Sequence, residues 1–184
     1  MTGGSGPHRH EQQGGSGESH SLPSKRPRQV AVIGSSCVEL GSEAGRAAEE
    51  VGRRLAEAGV TVVCGGLTGV MEAVCRGASG AGGEAIGIVP GHDVSEANPF
   101  CAHVVATGIG HARNLAVVSS GEAVIAIGGE WGTLSEIGLA RVIGHEVVAL
   151  RSWELNGRER MTGGPGVVAA ETAEEAVAAV LAAL

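Results

Sequence analysis

Short apolar runs alternate with longer Ala-, Glu- and Arg-rich segments along most of this chain, and that alternation constrains the fold more than any other feature. Val30–Ile33, Val60–Val63, Ala85–Val89, His103–Ala106, Ala123–Ile127 and Val147–Leu150 read as strands. Their hydrophobicity is continuous rather than alternating, the mark of strands covered on both faces. Glu43–Ala58, Gly69–Ser79, His111–Ser120 and Leu134–Gly144 read as helices, and Ala173–Leu184 as a last helix that lays an Ala/Val/Leu stripe on the sheet. The order βαβαβ, continued with more of the same, predicts an α/β fold: a single doubly wound parallel sheet with helices on both faces. Thr172 ahead of Ala-Glu-Glu predicts a helix N-cap, and Gly59 after Ala58 a C-cap. Arg151–Val167 has little apolar periodicity and is expected to be a surface loop.

The 184 residues suffice for one α/β domain with a substantial core and are too few for two of ordinary size. Residues 1–28, rich in Gly, Ser and Pro, are expected to be a disordered leader, with one folded domain over residues 29–184. No apolar stretch approaches the roughly 20 residues of a membrane-spanning helix, and residues 1–28 lack the apolar centre of a secretory signal. A cytoplasmic protein with no membrane partner is the expectation. The net charge is −7, and beyond residue 28 nine arginines face eighteen acids. Such a body gains nothing from counterion release, so nucleic acid is not an expected partner. Cys37, Cys64, Cys75 and Cys101 have no C-x-x-C spacing, and three of them lie in or beside apolar runs, so neither a metal site nor a disulfide framework is expected. Lys25 is the only lysine and stands in the leader. Pyridoxal-phosphate chemistry, which needs a lysine in the fold, is thereby argued against, and no cofactor is expected.

Ligands of open parallel sheets bind at the carboxyl ends of the strands. Four turns fall there: Gly34-Ser35-Ser36, Gly65-Gly66-Leu67-Thr68-Gly69, Gly108-Ile109-Gly110-His111-Ala112-Arg113-Asn114 and Gly128-Gly129-Glu130-Trp131-Gly132-Thr133. Glycine lets backbone N–H groups converge on an anion, and the helix that follows adds its positive dipole end, so phosphate is the natural guest. A single Gly-Gly pair can equally be a tight connection; two such turns on one edge favour the anion. Glu136 stands three residues after Thr133, so the two could form a capping box. Alternatively Thr133 and the amides of Gly128, Gly129 and Gly132 hold phosphate, and Glu136 meets a sugar hydroxyl or the bond to a base. Arg113 is the matching cation, able to bridge phosphate and Glu136. Ser35, Ser36, Gly65, Gly66, Gly69 and Asn114 are further candidate ligand contacts. His92 and Asp93 suggest a rim, and Trp131 could stack on a planar ring or pack on a neighbouring subunit.

Gly128–Glu136, with Gly34-Ser35-Ser36, Gly65-Gly66-x-x-Gly69-Val70-Met71 and His111-Ala112-Arg113-Asn114 in the same order, resembles the GGxGTxxE signature of the LOG-like superfamily. These Rossmann-like proteins were once labelled lysine decarboxylases. The resemblance spans nearly all of residues 30–150 and points to the branch that contains the molybdenum-cofactor carrier protein. It implies one of two functions. One is a phosphoribohydrolase that cleaves a nucleoside 5′-monophosphate to base and ribose 5-phosphate, with Glu136 and Arg113 catalytic. The other is a non-catalytic carrier or sensor of a phosphorylated pterin or nucleotide. It also implies a homo-oligomer, a dimer or higher. Two departures stand out: Arg113 is followed by Asn114 rather than lysine, and Ile127 precedes the glycines where proline is common.

Overall fold

The computed structural model describes Met1, residues 26–153, Leu155 and residues 166–184. Among these, seven strands form one sheet: β1 (Gln29–Gly34), β2 (Thr61–Cys64), β3 (Ala85–Val89), β4 (His103–Ala106), β5 (Ala123–Ile127), β6 (Val147–Leu150) and β7 (Val167–Ala170). The helices are α1 (Glu43–Glu57), α2 (Val70–Gly80), α3 (Arg113–Ser120), α4 (Trp131–Val142) and α5 (Ala173–Ala183). The strand order is β4-β3-β2-β1-β5-β6-β7, and every pairing is parallel. The winding therefore reverses at β1, whose Val30 pairs with Val62 on one side and with Ala123 on the other.

The continuous apolar runs divide between two cores because successive side chains of a strand point to opposite faces. From β1, Val30 and Val32 join the α1, α2 and α5 residues on one face, while Ala31 and Ile33 join Val117, Val118, Ile137 and Ala140 of α3 and α4 on the other. Full burial of Leu55 on α1 contributes about 1.5–3 kcal/mol by itself. The edge strand β4 departs from the expected double cover: His103 and Val105, on one face of it, are exposed, since a strand at the edge of the sheet lies at the margin of the helices that cover it.

The helix ends follow local chemistry. Ser42 caps α1 by accepting from the Gly45 N–H at 3.1 Å. The chain leaves α1 through Gly59, as expected, with the Val60 N–H returning to the Leu55 carbonyl at 2.9 Å. Thr172 and Glu175 form a reciprocal capping box on α5. Several bounds shift by a residue or two, and two departures from expectation are larger. Helix α4 begins at Trp131, three residues before Leu134, because its Gly-Thr first turn has no apolar stripe to announce it. Strand β7 was not anticipated, since its four small residues occupy an edge with half of them exposed. The leader at residues 2–25, and residues 154 and 156–165 of the expected surface loop, lie outside the described residues.

Helices α1 and α2 touch backbone to backbone. A Cβ on Gly52 would overlap the Val74 carbonyl, and one on Gly77 would overlap the Glu49 carbonyl. Gly52→Ala should therefore force the two helices apart and lower stability by about 3 kcal/mol or more, beyond ordinary overpacking. Gly138→Ala, on a helix position with open space around it, should leave stability unchanged or slightly raised. Thermal denaturation of the two variants side by side checks both outcomes.

Candidate functional site

The reversal at β1 opens a crevice of about 310 Å³ at the carboxyl ends of β1 and β5. All four glycine-bearing turns contribute to it. Ser35 and Ser36 come from the turn after β1, Gly65 from the turn after β2, Arg113 and Asn114 from the start of α3, and Gly132, Thr133 and Glu136 from α4. His111 and Glu130 stand at its mouth. Four other candidates do not line it. Gly66 lies behind the wall, where its carbonyl accepts from Asn98. Gly69 caps α2 and packs under Ser35 and Ser36. The Gly128 N–H is taken by the Leu150 carbonyl at 3.1 Å, so it is engaged in the frame rather than free for an anion. Gly129 turns the chain with φ of +121°.

The start of α4 removes one reading of Thr133. Glu130 is the N-cap and makes no side-chain capping bond, so Thr133 is a third helical residue and the alternative capping box with Glu136 does not form. Thr133 and Glu136 instead share one buried face of the first turns. The amides of Trp131, Gly132 and Thr133 precede the first intrahelical bond, from the Leu134 N–H to the Glu130 carbonyl, and have no acceptor within the helix. The positive end of α4 therefore stands at the crevice, which Gly132 and Thr133 line.

Arg113 and Glu136 are buried together, each side chain 9% exposed, with Nη1 3.6 Å from Oε1. That separation is an ion contact rather than a hydrogen bond. The guanidinium also donates from Nη1 to the Asn114 Oδ1, while its buried Nε has no hydrogen-bond partner among the described residues. Gly65 makes room for it: a Cβ there would lie 2.6 Å from Nη2 and 2.7 Å from the Met71 Sδ. Burial pushes the Glu136 carboxyl up to about 7, against the opposing pull of Arg113. Burial likewise lowers the Arg113 guanidinium from its ordinary value, with Glu136 acting the other way. A carboxyl balanced between its two protonation states near neutrality can donate or accept a proton to a bound group.

Glu130 escaped the sequence reading, although one signal was available. Two residues, not one, separate Gly128-Gly129 from Gly132-Thr133, so counting back from Thr133 puts Glu130 at the second-glycine place of the signature. Its carboxylate accepts from the Ser35 hydroxyl at 3.2 Å and ties the β1 turn to the start of α4. Trp131 lies against Trp153, ring centroids 5.3 Å apart, and does not line the crevice. Asp93 caps a short 3-10 turn through the Ser95 N–H, and neither it nor His92 reaches the site. Among the described residues no cluster of three or more His, Cys, Asp or Glu side chains is arranged to hold a metal ion, and no helix is long and apolar enough to cross a membrane.

A family model described as the SLOG cluster4 family matches residues 27–177. A protein of Archaeoglobus fulgidus is 42% identical over 123 residues, which are 67% of this chain and 80% of that protein. The molybdenum cofactor binding protein of Rippkaea orientalis superposes with a TM-score of 0.77 at 29% identity, over 86% of this chain and 98% of that one. The Moco carrier protein of Chlamydomonas reinhardtii gives a TM-score of 0.74 at 29% identity with the same coverage.

The buried carboxyl makes stability depend on pH in a defined direction. Folded Glu136 holds its proton up to about 7, whereas its ordinary value is 4.5. Its contribution to stability is therefore full below pH 4.5 and declines as pH rises through 7, where the folded state must hold a buried charge. Glu136→Gln removes that dependence. The melting temperature of the unsubstituted protein minus that of E136Q should fall between about pH 5 and about pH 8; a difference constant with pH would contradict the burial argument.

Proposed function

The chain belongs to the SLOG cluster4 family, and on that premise we propose that its crevice binds a phosphorylated pterin, the chemistry of the molybdenum cofactor, as a carrier without cleaving it. The observation that carries this reading is the convergence at one strand-order reversal of the unbonded α4 amides, Thr133 and the Arg113 guanidinium. The phosphate would sit on Gly132 and Thr133, with the Arg113 guanidinium beside it and Ser35 and Ser36 toward the ring system. The full-length likeness to molybdenum-cofactor carrier and binding proteins supports a pterin over other phosphorylated guests. Asn114 supports binding without turnover, since it takes up Arg113 as a hydrogen-bond partner where cleaving relatives are expected to carry lysine.

One observation favours the second reading, a phosphoribohydrolase acting on a nucleoside 5′-monophosphate. The Glu136 carboxyl, raised to about 7, has the protonation balance of a general acid or base next to a scissile glycosidic bond. In that case Glu136 and Arg113 are catalytic. Self-association belongs to either reading: Leu115, Trp131 and Val142 leave apolar surface exposed on α3 and α4, which a second copy would cover, and light scattering during gel filtration tests it.

Thermal-shift titration with the phosphorylated pterin, its unphosphorylated form and a panel of nucleoside monophosphates distinguishes the readings. At a hundredfold excess over Kd, a true ligand stabilises the fold by about 2.7 kcal/mol. The expected result is a rise in melting temperature with the phosphorylated pterin only, retained in E136Q, and no free base from any nucleotide. Gly132→Asp adds a carboxylate where a Cβ meets nothing within 4 Å, so it should abolish the shift without unfolding the protein. Release of base that E136Q abolishes would replace the carrier by the hydrolase. No shift with any of them would refute both.

A further inference from the structure

Three of the four cysteines, far apart in sequence, meet behind the crevice. Cys64 ends β2, Cys75 lies on α2, and Cys101 precedes β4. The Cys64 and Cys75 sulfurs are 3.4 Å apart, and those of Cys75 and Cys101 3.7 Å. Their burial is graded: Cys64 and Cys75 are fully enclosed, while Cys101 is partly exposed. Cys101 rests on Gly87 of β3, where a Cβ would come within 2.7 Å of its sulfur. Four elements thus bring the sulfur of one partly exposed cysteine into van der Waals contact with that of an enclosed one.

We propose that this cluster is an oxidation-sensitive site, in which Cys101 reacts with a hydroperoxide and Cys75 resolves the product as an internal disulfide. In the first step the Cys101 thiolate attacks the hydroperoxide; an S–O bond forms, the O–O bond breaks, and the alcohol or water leaves after taking up a proton. In the second, Cys75 loses its proton and attacks the Cys101 sulfur; the S–S bond forms, and hydroxide leaves as water with a proton from solvent. Two thiols and one hydroperoxide give one disulfide, one alcohol or water from the peroxide, and one further water. The neighbouring thiols of Cys64 and Cys75 draw the Cys101 thiol below its ordinary value, against the opposing effect of burial. The Cys75 thiol is raised by its contacts with Cys101 and Cys64 and by burial, so Cys101 is the first to ionise.

The cluster is wired to the crevice wall. The Cys64 sulfur accepts from the Gly66 N–H at 3.3 Å, and the Cys101 N–H donates to the Asn98 carbonyl at 3.3 Å. The Asn98 side chain in turn donates to the carbonyls of Gly66 at 3.1 Å and Leu67 at 3.0 Å. A Cys75–Cys101 bond would therefore pull on the turn that carries Gly65, the residue against which Arg113 lies.

The test is peptide mapping of the full chain after hydrogen peroxide treatment, with thiols blocked by an alkylating agent under denaturing conditions. The expected product is a Cys75–Cys101 crosslinked peptide that dithiothreitol reverses; in Cys75→Ser, dimedone should instead mark Cys101. In the reduced native protein, alkylation of Cys101 should outpace that of Cys64 and Cys75 by about tenfold or more. Oxidation confined to the exposed Cys37, or a Cys101 no faster than the two enclosed thiols, would overturn the proposal. None of these readouts involves the crevice ligand, so the proposal fails or stands separately from the carrier reading.

Discussion

Strand β1 has neighbours on both sides and helices on both faces, and everything else in the structure depends on that enclosure. A strand so placed must be apolar at every position, and Val30–Ile33 is. Its paired neighbours lead away in opposite directions, β2 toward β4 and β5 toward β7. The connections above it must then part, since one set of helices packs over one face and the other set over the other. The crevice is the gap they leave. It needs no special sequence of its own; it follows from covering both faces of a sheet whose winding reverses.

Into that gap the fold puts a pair that burial alone does not favour. Taking Arg113 and Glu136 out of water costs several kcal/mol per ion, which a 3.6 Å contact recovers only in part. A well-packed apolar pair would serve stability as well or better. Under the carrier reading an incoming phosphate gives the guanidinium a second anionic partner beside Glu136, and a carboxyl near 7 can become neutral to accommodate the added negative charge. The same tuning serves a hydrolase, so electrostatics by itself does not separate the two functions; what the ligand does to Glu136 separates them. Glu130 adds a further anion at the mouth, held by Ser35, in a place where the family signature has glycine.

Much of the fold was legible because its signals are local or periodic. Six strands and five helices follow from apolar runs and amphipathic segments, and the caps at Gly59 and Thr172 from side-chain chemistry within a few residues. Strand β7 was illegible because an exposed edge needs no apolar signature. The early start of α4 was hidden because its Trp-Gly-Thr first turn carries no apolar stripe and no capping side chain. At the site, eight of the twelve candidates line the crevice: Ser35, Ser36, Gly65, Arg113, Asn114, Gly132, Thr133 and Glu136. Gly66, Gly69, Gly128 and Gly129 share their residue type but shape the turns instead.

The sequence by itself determined the α/β architecture, the superfamily and the edge of the sheet at which a ligand belongs, because periodicity and turn chemistry act over a few residues. Only the tertiary structure decided that Gly65 and Gly132 line the crevice while Gly66 and Gly69 make room for neighbouring backbone, because those neighbours come from elsewhere in the chain. It decided that Thr133 and Glu136 face the crevice rather than cap a helix, and that Arg113 and Glu136 are buried together, since burial depends on elements distant in the chain. It also brought together Cys64, Cys75 and Cys101, whose spacing in the sequence carries no motif. The glycine turn after β5 marked one wall of the crevice; the reversal at β1 supplied the others, with Arg113 and Glu136 buried between them.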